Sequence, residues 1–326
     1  MALPSSPNSL SLNQIAGEFG GTVPHSLSEY YAGGGLTPSG ISGDSGAIPT
    51  SGEISIGQFY GSSNRVTINL TISSNTTNYQ ISSSRGGTYS SGITDVILTN
   101  NAQVGSNAVG TAAIWTGPAP SWSAGDTITI VNNGAIRGRG GNGGRGTDGD
   151  LSPTGVAGQA AGDAIEISFP TTVQNASPGQ IRGAGGGGGG GGRGATVIPG
   201  QPSNPPSKSG PGQPGNPPST QFYGGAGGGG GAGSQVGSGG TRGGDTATNA
   251  SNLGAAGGLN TGGAGGFYSS PSQGQIKAGN GGSSGQGGQG GQGQGAAAGG
   301  AAGKAVEPNG NQLTLQNSGT VAGGTS

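Results

Sequence analysis

Residues 183–194 read GAGGGGGGGGRG, and the fold turns on what such a stretch can be. Residues 224–233 (GGAGGGGGAG), 254–266 and 279–303 are further long runs, residues 138–146 (GRGGNGGRG) a shorter one, and glycine makes up 83 of 326 residues. Glycine loses more backbone freedom on folding than any other residue, so an aperiodic Gly- and Pro-rich chain commonly stays disordered. A collagen helix needs glycine at every third position over a long span, and only residues 285–293 (GQGGQGGQG) keep that step. The arrangement we prefer is a bundle of left-handed threefold helices of the polyproline II shape, built of glycine. Such a helix makes no hydrogen bonds within itself and turns its N–H and C=O groups outward, where buried groups must find partners. Without side chains, neighbouring helices approach closely and bond laterally. A ten-residue run would span about 30 Å at ~3.1 Å per residue. A core of backbone hydrogen bonds lets a chain with 28% hydrophobic residues be rigid.

Composition excludes much. The net charge is −1 and 7% of residues are charged, so no nucleic-acid partner is expected. With no Cys and the single His25, neither a thiolate metal site nor a His-based triad can form; no metal and no cofactor are expected. GxGxxG-like matches such as residues 138–143 arise by chance at this glycine content, and no helix pattern follows. The acids are scattered. Asp148 and Asp150 lie in a Gly-rich turn and read as solvated loop residues or a weak cation site, and no acidic pair in a cleft suggests glycoside hydrolysis. The expectation is a non-enzymatic protein. No stretch approaches the ~20 apolar residues of a membrane span, and MALPSSPNSLSLNQ lacks the basic start and apolar core of a secretory signal.

Residues 1–62 carry a small repeat: Ser11-Leu12-Asn13-Gln14-Ile15, Ser26-Leu27-Ser28-Glu29-Tyr30 and Ser55-Ile56-Gly57-Gln58-Phe59. Ser followed three positions later by Glu or Gln is a capping box that opens a helix. Each helix must be short, because Gly17, Gly33 and Gly61 follow soon after. Leu12, Ile15 and Phe19 share one helical face. So small a module is marginal alone; it reads either as a folded cap or as a docking module that completes its core on a partner. For docking, the candidates are Leu12, Ile15, Phe19, Tyr30, Tyr31, Ile56, Phe59 and Tyr60.

Residues 64–182 read as a β platform. Val66, Ile68, Leu70 and Ile72 alternate with polar residues, the pattern of a half-buried strand; residues 93–98 and 112–115 are further candidates, and Trp115 and Trp122 are expected to pack there. A longer repeat then appears. Residues 126–130 (DTITI), 163–167 (DAIEI) and 311–315 (NQLTL) lead, respectively, to Gly-x-[Ile/Val]-x-Gly at 134–138, 179–183 and 319–323. The first two copies launch glycine runs and the third, in residues 311–326, closes the chain. The predicted fold is therefore mostly β plus a polyglycine II helix bundle: a small N-terminal module with short helical turns, a platform over 64–182, the bundle over 183–310, and a C-terminal β unit pairing back to the platform.

Segments of other composition interrupt the runs: residues 198–220, with 8 of the 20 prolines and Lys208, residues 246–253, and residues 267–278 with Lys277. If the runs are parallel rods, these are the turns joining them, and loops on a rigid scaffold are where recognition sits. Phe222-Tyr223 and Phe267-Tyr268 flank the runs. They read either as exposed anchors for a ligand or as plugs that shield the bundle ends.

At these residues the chain resembles bacteriophage tail proteins. The N-terminal module (SLNQIAGEFGG, SLSEYYAGGG, PTSGEISIGQFYG) is similar to a short segment found on structural proteins of tailed phages, including marine and cyanobacterial ones. NNGAIRGRGGNGG and the runs after it resemble tail-fibre tip adhesins of T-even-type phages. That resemblance implies a virion protein of the phage tail whose polyglycine helices pack together and whose intervening loops touch a bacterial surface receptor, an outer-membrane protein or a polysaccharide. On this reading Lys208, Phe222, Tyr223, Phe267, Tyr268 and Lys277 are the receptor-binding candidates, and residues 1–62 dock on another phage tail protein. A single-copy tip and a homotrimer both fit. The alternatives are a structural virion component without receptor binding and an ice-binding protein.

Overall fold

The structure is a computed structural model, and it describes residues 2–147, 154–192, 194–198, 219–223, 228–240, 254–270 and 274–325. The N-terminal module holds α1 (Leu12–Phe19), the 3-10 turns Leu27–Tyr30 and Ile56–Phe59, and a hairpin of β1 (Ser42–Gly43) and β2 (Gly46–Ala47). The first and third Ser-initiated turns close with reciprocal capping boxes. Ser11 N–H donates to Gln14 Oε1 at 2.8 Å, and Ser55 N–H donates to Gln58 Oε1 at 2.8 Å. At the second, Ser28 N–H donates to Ser26 Oγ instead. Ile15, Phe19, Tyr30 and Phe59 converge beneath these turns, with Phe59 edge-on to Phe19 and to Tyr30. Gly17 sits exposed inside α1 with nothing near the position of a Cβ. We expect Gly17→Ala to raise stability by about 0.5–1 kcal/mol, because alanine is the better helix former. A denaturant titration against the parent measures it.

From Val66 the chain winds through three sheets, laying one strand on each per turn. The first turn is β3 (Val66–Ile72), β4 (Thr76–Thr77) and β5 (Tyr79–Gln80), followed by the one-turn α2 (Ile81–Ser84). The second is β6 (Thr94–Asn100), β7 (Gln103–Gly105) and β8 (Ile114–Trp115), and the third is β9 (Thr127–Asn132), β10 (Ala135–Arg137) and β11 (Ile165–Glu166). The fourth begins with β12 (Thr171–Asn175) and β13 (Gln180–Arg182). It is interrupted by two hairpins, β14 (Gly194–Ile198) with β15 (Ser219–Tyr223) and β16 (Phe267–Ser270) with β17 (Gly274–Lys277), and finishes at β18 (Val306–Glu307). The fifth is β19 (Leu313–Asn317) and β20 (Thr320–Ala322). The sheets run β3-β6-β9-β12-β19, β4-β7-β10-β13-β20 and β5-β8-β11-β18, and every neighbouring pair is parallel. The platform is thus a three-sided parallel solenoid, and the chain as a whole is mostly β with few helices.

Its interior stacks like on like from turn to turn, as a solenoid whose coils touch only their neighbours requires. Val96 lies over Ile128, Leu98 over Ile130 and Val173, Val104 over Ile136 and Ile181, and Ile114 over Ile165 and Val306, all buried. Trp122 is buried against Tyr89 and Phe169, and Trp115 is half-buried on β8. The repeat read from the sequence needs one correction. Residues 163–167 do not correspond to 126–130: β11 lies on the third sheet, and the strand paired with β9 is β12, with Ile130 opposite Val173. Ile165 and Ile167 mimic the alternation of β9 because strands on all three sheets share its period of two.

The glycine runs leave the solenoid at one corner, between its second and third sheets. Residues 138–147 follow β10 outward and residues 154–162 return to β11; residues 183–192 follow β13, and residues 297–303 return to β18. The run 183–192 is buried throughout. Its hydrogen bonds step by three along the chain. The N–H groups of Ala184, Gly187 and Gly190 donate to Gly162, Gln159 and Val156; those of Gly185 and Gly188 to Ala232 and Gly229; those of Gly186, Gly189 and Gly192 to Gln286, Gln289 and Gln292. Its carbonyls accept in the same rhythm. Gly141, Gly144 and Thr147 donate to Gly185, Gly188 and Gly191; Gly282 and Gly279 to Gly186 and Gly189; Gly303, Gly300 and Ala297 to Ala184, Gly187 and Gly190. Three residues per repeat, each with one donor and one acceptor, address six neighbouring runs in all. The two strands β10 and β13 are hydrogen-bonded neighbours and become neighbouring runs without a break, so the parallel sheet templates the bundle.

Candidate functional site

The register of those bonds fixes which ends of the runs lie together. Runs alternate outward and inward, and their described turns near the solenoid are short. Ser234 lies over Gly105, where its Oγ accepts from Ser106 N–H at 3.1 Å and donates to Gly138 O at 3.0 Å. Asn260 accepts from Arg137 Nη1 at 3.0 Å, and Gly285 N–H donates to Gly183 O at 2.8 Å. Arg137 is buried beneath this base, with Nη2 donating to Gln180 Oε1 at 2.6 Å; burial first, and the neighbouring Arg182 second, push its pKa below the usual arginine value. The three turns step along the second sheet, the first at β7, the second at β10 and the third beyond β13. This clasps the base of the bundle to the solenoid strand by strand.

At the far end residues 293–296 make one short turn, and two other connections carry hairpins. The hairpin β14/β15 opens two residues after Gly192, the hairpin β16/β17 opens directly after Gly266, and β14 lies against β16. Gln292 N–H donates to Lys277 O at 2.8 Å, tying the run 286–292 to the second hairpin. The candidate residues distribute as follows. Phe222 and Tyr223 lie on β15, paired in register with Ala195 and Gly194. Phe267, Tyr268 and Lys277 lie on the other hairpin, Phe267 opposite Lys277 and Tyr268 opposite Ile276. Phe267 is 38% exposed and Lys277 is exposed, so Phe267 does not plug the bundle. Within the segment 267–278, read as a turn, residues 267–270 pair with 274–277 as this hairpin. Lys208 with most of 198–220, residues 246–250 with the rest of 246–253, and Asp148 and Asp150 lie outside the described residues.

The module's docking candidates divide in two. Ile15, Phe19, Tyr30 and Phe59 are buried in its own core, which corrects the expectation that they meet a partner: their side chains are used up in packing the three turns together. Leu12, Tyr31, Ile56 and Tyr60 remain half-buried at its surface. The Tyr30 hydroxyl donates to Gly20 O at 2.9 Å, and burial raises its pKa.

Sequence reasoning missed two features. One is a buried asparagine ladder at the corner between the first two sheets, where Asn100 Nδ2 donates to Asn132 Oδ1 at 2.8 Å, Asn132 to Asn175 at 2.7 Å and Asn175 to Asn317 at 2.7 Å. Its signal was present: each Asn precedes by four to six positions the Val or Ile of the following strand. The other is a groove along the flank of the bundle. Its walls are residues 261–267 and 286–292, and its floor is the run 278–282. Two cavities of ≈ 340 and ≈ 260 Å³ share Asn280 and Gln289 and so run into each other. Among the described residues no cluster of His, Cys, Asp or Glu could hold a metal ion, and no helix is long and apolar enough to cross a membrane.

A parallel solenoid thus launches a glycine-rich bundle, and two hairpins open at the bundle's far end. The family model of the phage tail fibre adhesin Gp38 matches residues 66–326, and the chain belongs to that family. The match starts at the first residue of β3 and takes in solenoid and bundle together. The protein is thereby a virion protein of the phage tail. Among solved structures, the chain is similar to one in the crystal structure of the gp37-gp38 adhesin tip complex of the bacteriophage S16 long tail fiber, with 24% identity, a TM-score of 0.45, and coverage of 85% of this chain and 88% of that one. Comparison with curated proteins returned no match.

Proposed function

We propose that the protein is a non-enzymatic adhesin at the tip of a tail fibre, binding a bacterial surface receptor through the segments between its glycine runs. The observation that carries this reading is polarity. The described turns at the base are short and clasped to the solenoid, whereas both hairpins open at the opposite end. The runs themselves we read as polyglycine II helices: the three-residue hydrogen-bond step and, among the described residues, the absence of bonds within a run support it. Such a bundle gives receptor-binding segments a stiff base without using side chains.

Residues 1–62 are on this reading the attachment module, meeting another tail protein through Leu12, Tyr31, Ile56 and Tyr60, while the buried aromatics keep the module folded. Purified protein should bind intact cells that the phage infects and should compete with phage adsorption. Exchanging residues 198–220 for those of a relative should change the host range. A folded protein that binds no such cells would favour a passive structural role. Deleting residues 1–62 should abolish incorporation into virions, measured by mass spectrometry of purified particles; full incorporation would sink the attachment claim.

A further inference from the structure

The flank groove is a row in the hydrogen-bonded lattice that no described run fills. In the central run 183–192, six neighbours take up the donors and acceptors. Around the groove the same rhythm breaks off. The N–H groups of Asn280, Gly287 and Gly290 and the C=O groups of Gly281, Gly287 and Gly290 have no partner among the described residues, and all of these residues line the groove. The Asn280 side chain fills part of that row, its Oδ1 accepting from Gly265 N–H at 2.8 Å. Gln286, Gln289 and Gln292 project from the wall at three-residue intervals, exposed, with no side-chain hydrogen bond to any described residue. At ~3.1 Å per residue the amides repeat every ~9 Å and the groove is roughly 20 Å long. Phe267 and Lys277 stand at its outer end.

Resting on the adhesin reading above, we propose that this groove binds an extended, largely neutral polysaccharide of the bacterial surface, as a second contact beside the tip segments. Each primary amide offers both donors and acceptors, which matches hydroxyl groups that also do both. The free backbone N–H and C=O groups offer the same pairing along the floor and wall. Phe267 supplies an apolar ring face at one end, and Lys277 is the only charged side chain among the described residues that line the groove. An extended peptide would meet the same groups but loses about 1–2 kcal/mol of backbone entropy per residue ordered, against about 1 kcal/mol per net hydrogen bond. A polymer of rigid rings has far less freedom to lose.

The test uses the full-length protein and cells that adsorb the phage. Binding is measured to untreated cells, to cells whose glycans are oxidised with periodate, and to protease-treated cells, with polysaccharide released from the same cells as competitor. Periodate and the competitor should each reduce binding at least tenfold. The double variant Gln286→Ala/Gln289→Ala changes only exposed side chains; it should keep its Tm and bind about tenfold more weakly, two lost hydrogen bonds being of that order. Binding that survives periodate and is lost with protease overturns the groove proposal and leaves the adhesin reading standing. A double variant that binds like the parent overturns it too. Failure of the parent protein to bind untreated cells removes the adhesin reading on which the proposal rests.

Discussion

Gly188→Ala should unfold or severely destabilise the bundle. Gly188 is buried at the centre of the run 183–192, donating to Gly229 O at 2.7 Å and accepting from Gly144 N–H at 2.8 Å. A Cβ there would overlap the carbonyl oxygen of Gly279, far inside any real carbon–oxygen contact. The obstacle is backbone on a rod bonded on several sides, so it cannot step aside as a side-chain tip would. Overpacking alone costs about 1–3 kcal/mol, and each lateral bond broken to relieve it adds ~1 kcal/mol. We expect a loss of ~3 kcal/mol or more, a fall in Tm of about 5 °C or more. The control is Gly290→Ala on the outer run, where the nearest non-neighbouring atom to the new Cβ is 3.6 Å away. A thermal melt that moves equally for both variants, or for neither, would sink the account of the bundle as a close-packed lattice.

The second large effect belongs to the solenoid. Asn132→Ala removes the middle of the asparagine ladder. Asn132 is fully buried; it accepts from Asn100 Nδ2 and donates to Asn175 Oδ1, with longer contacts to Gly134 O and Gln180 O. Its loss strands a buried donor on Asn100 and a buried acceptor on Asn175, each costing about 1–3 kcal/mol. We expect a total of about 3–5 kcal/mol in equilibrium unfolding, the missing side-chain volume included. Asn133→Ala next door removes an exposed amide pair with Asn101 and should stay within about 0.5 kcal/mol. Similar losses at the two positions would show that the ladder carries no special share of the stability.

Much of this architecture was legible in the residues. The capping boxes at Ser11 and Ser55 act locally, over three positions, and both form. The alternation of Val66, Ile68, Leu70 and Ile72 marks a strand because a pleated backbone turns successive side chains to opposite faces. The winding was not legible. Alternation has the same period on all three sheets, so it could not say that residues 163–167 belong beside 114–115 and not beside 127–132. The buried state of Ile15, Phe19, Tyr30 and Phe59 was equally hidden, since an apolar residue in a small module serves its own core or a partner's with the same chemistry.

The amino-acid sequence by itself determined what the glycine runs could be. A backbone without side chains must bury its amides against other backbone, and runs launched from and returned to β units must stay close to them. Only the tertiary structure decided how many of the described runs meet, in which direction, and where no described run completes the row. Those are properties of a lattice, set by which residue, every third along one run, faces which neighbour. No single run carries that information, because every glycine in it is chemically the same. The groove lies where the lattice of the described runs stops.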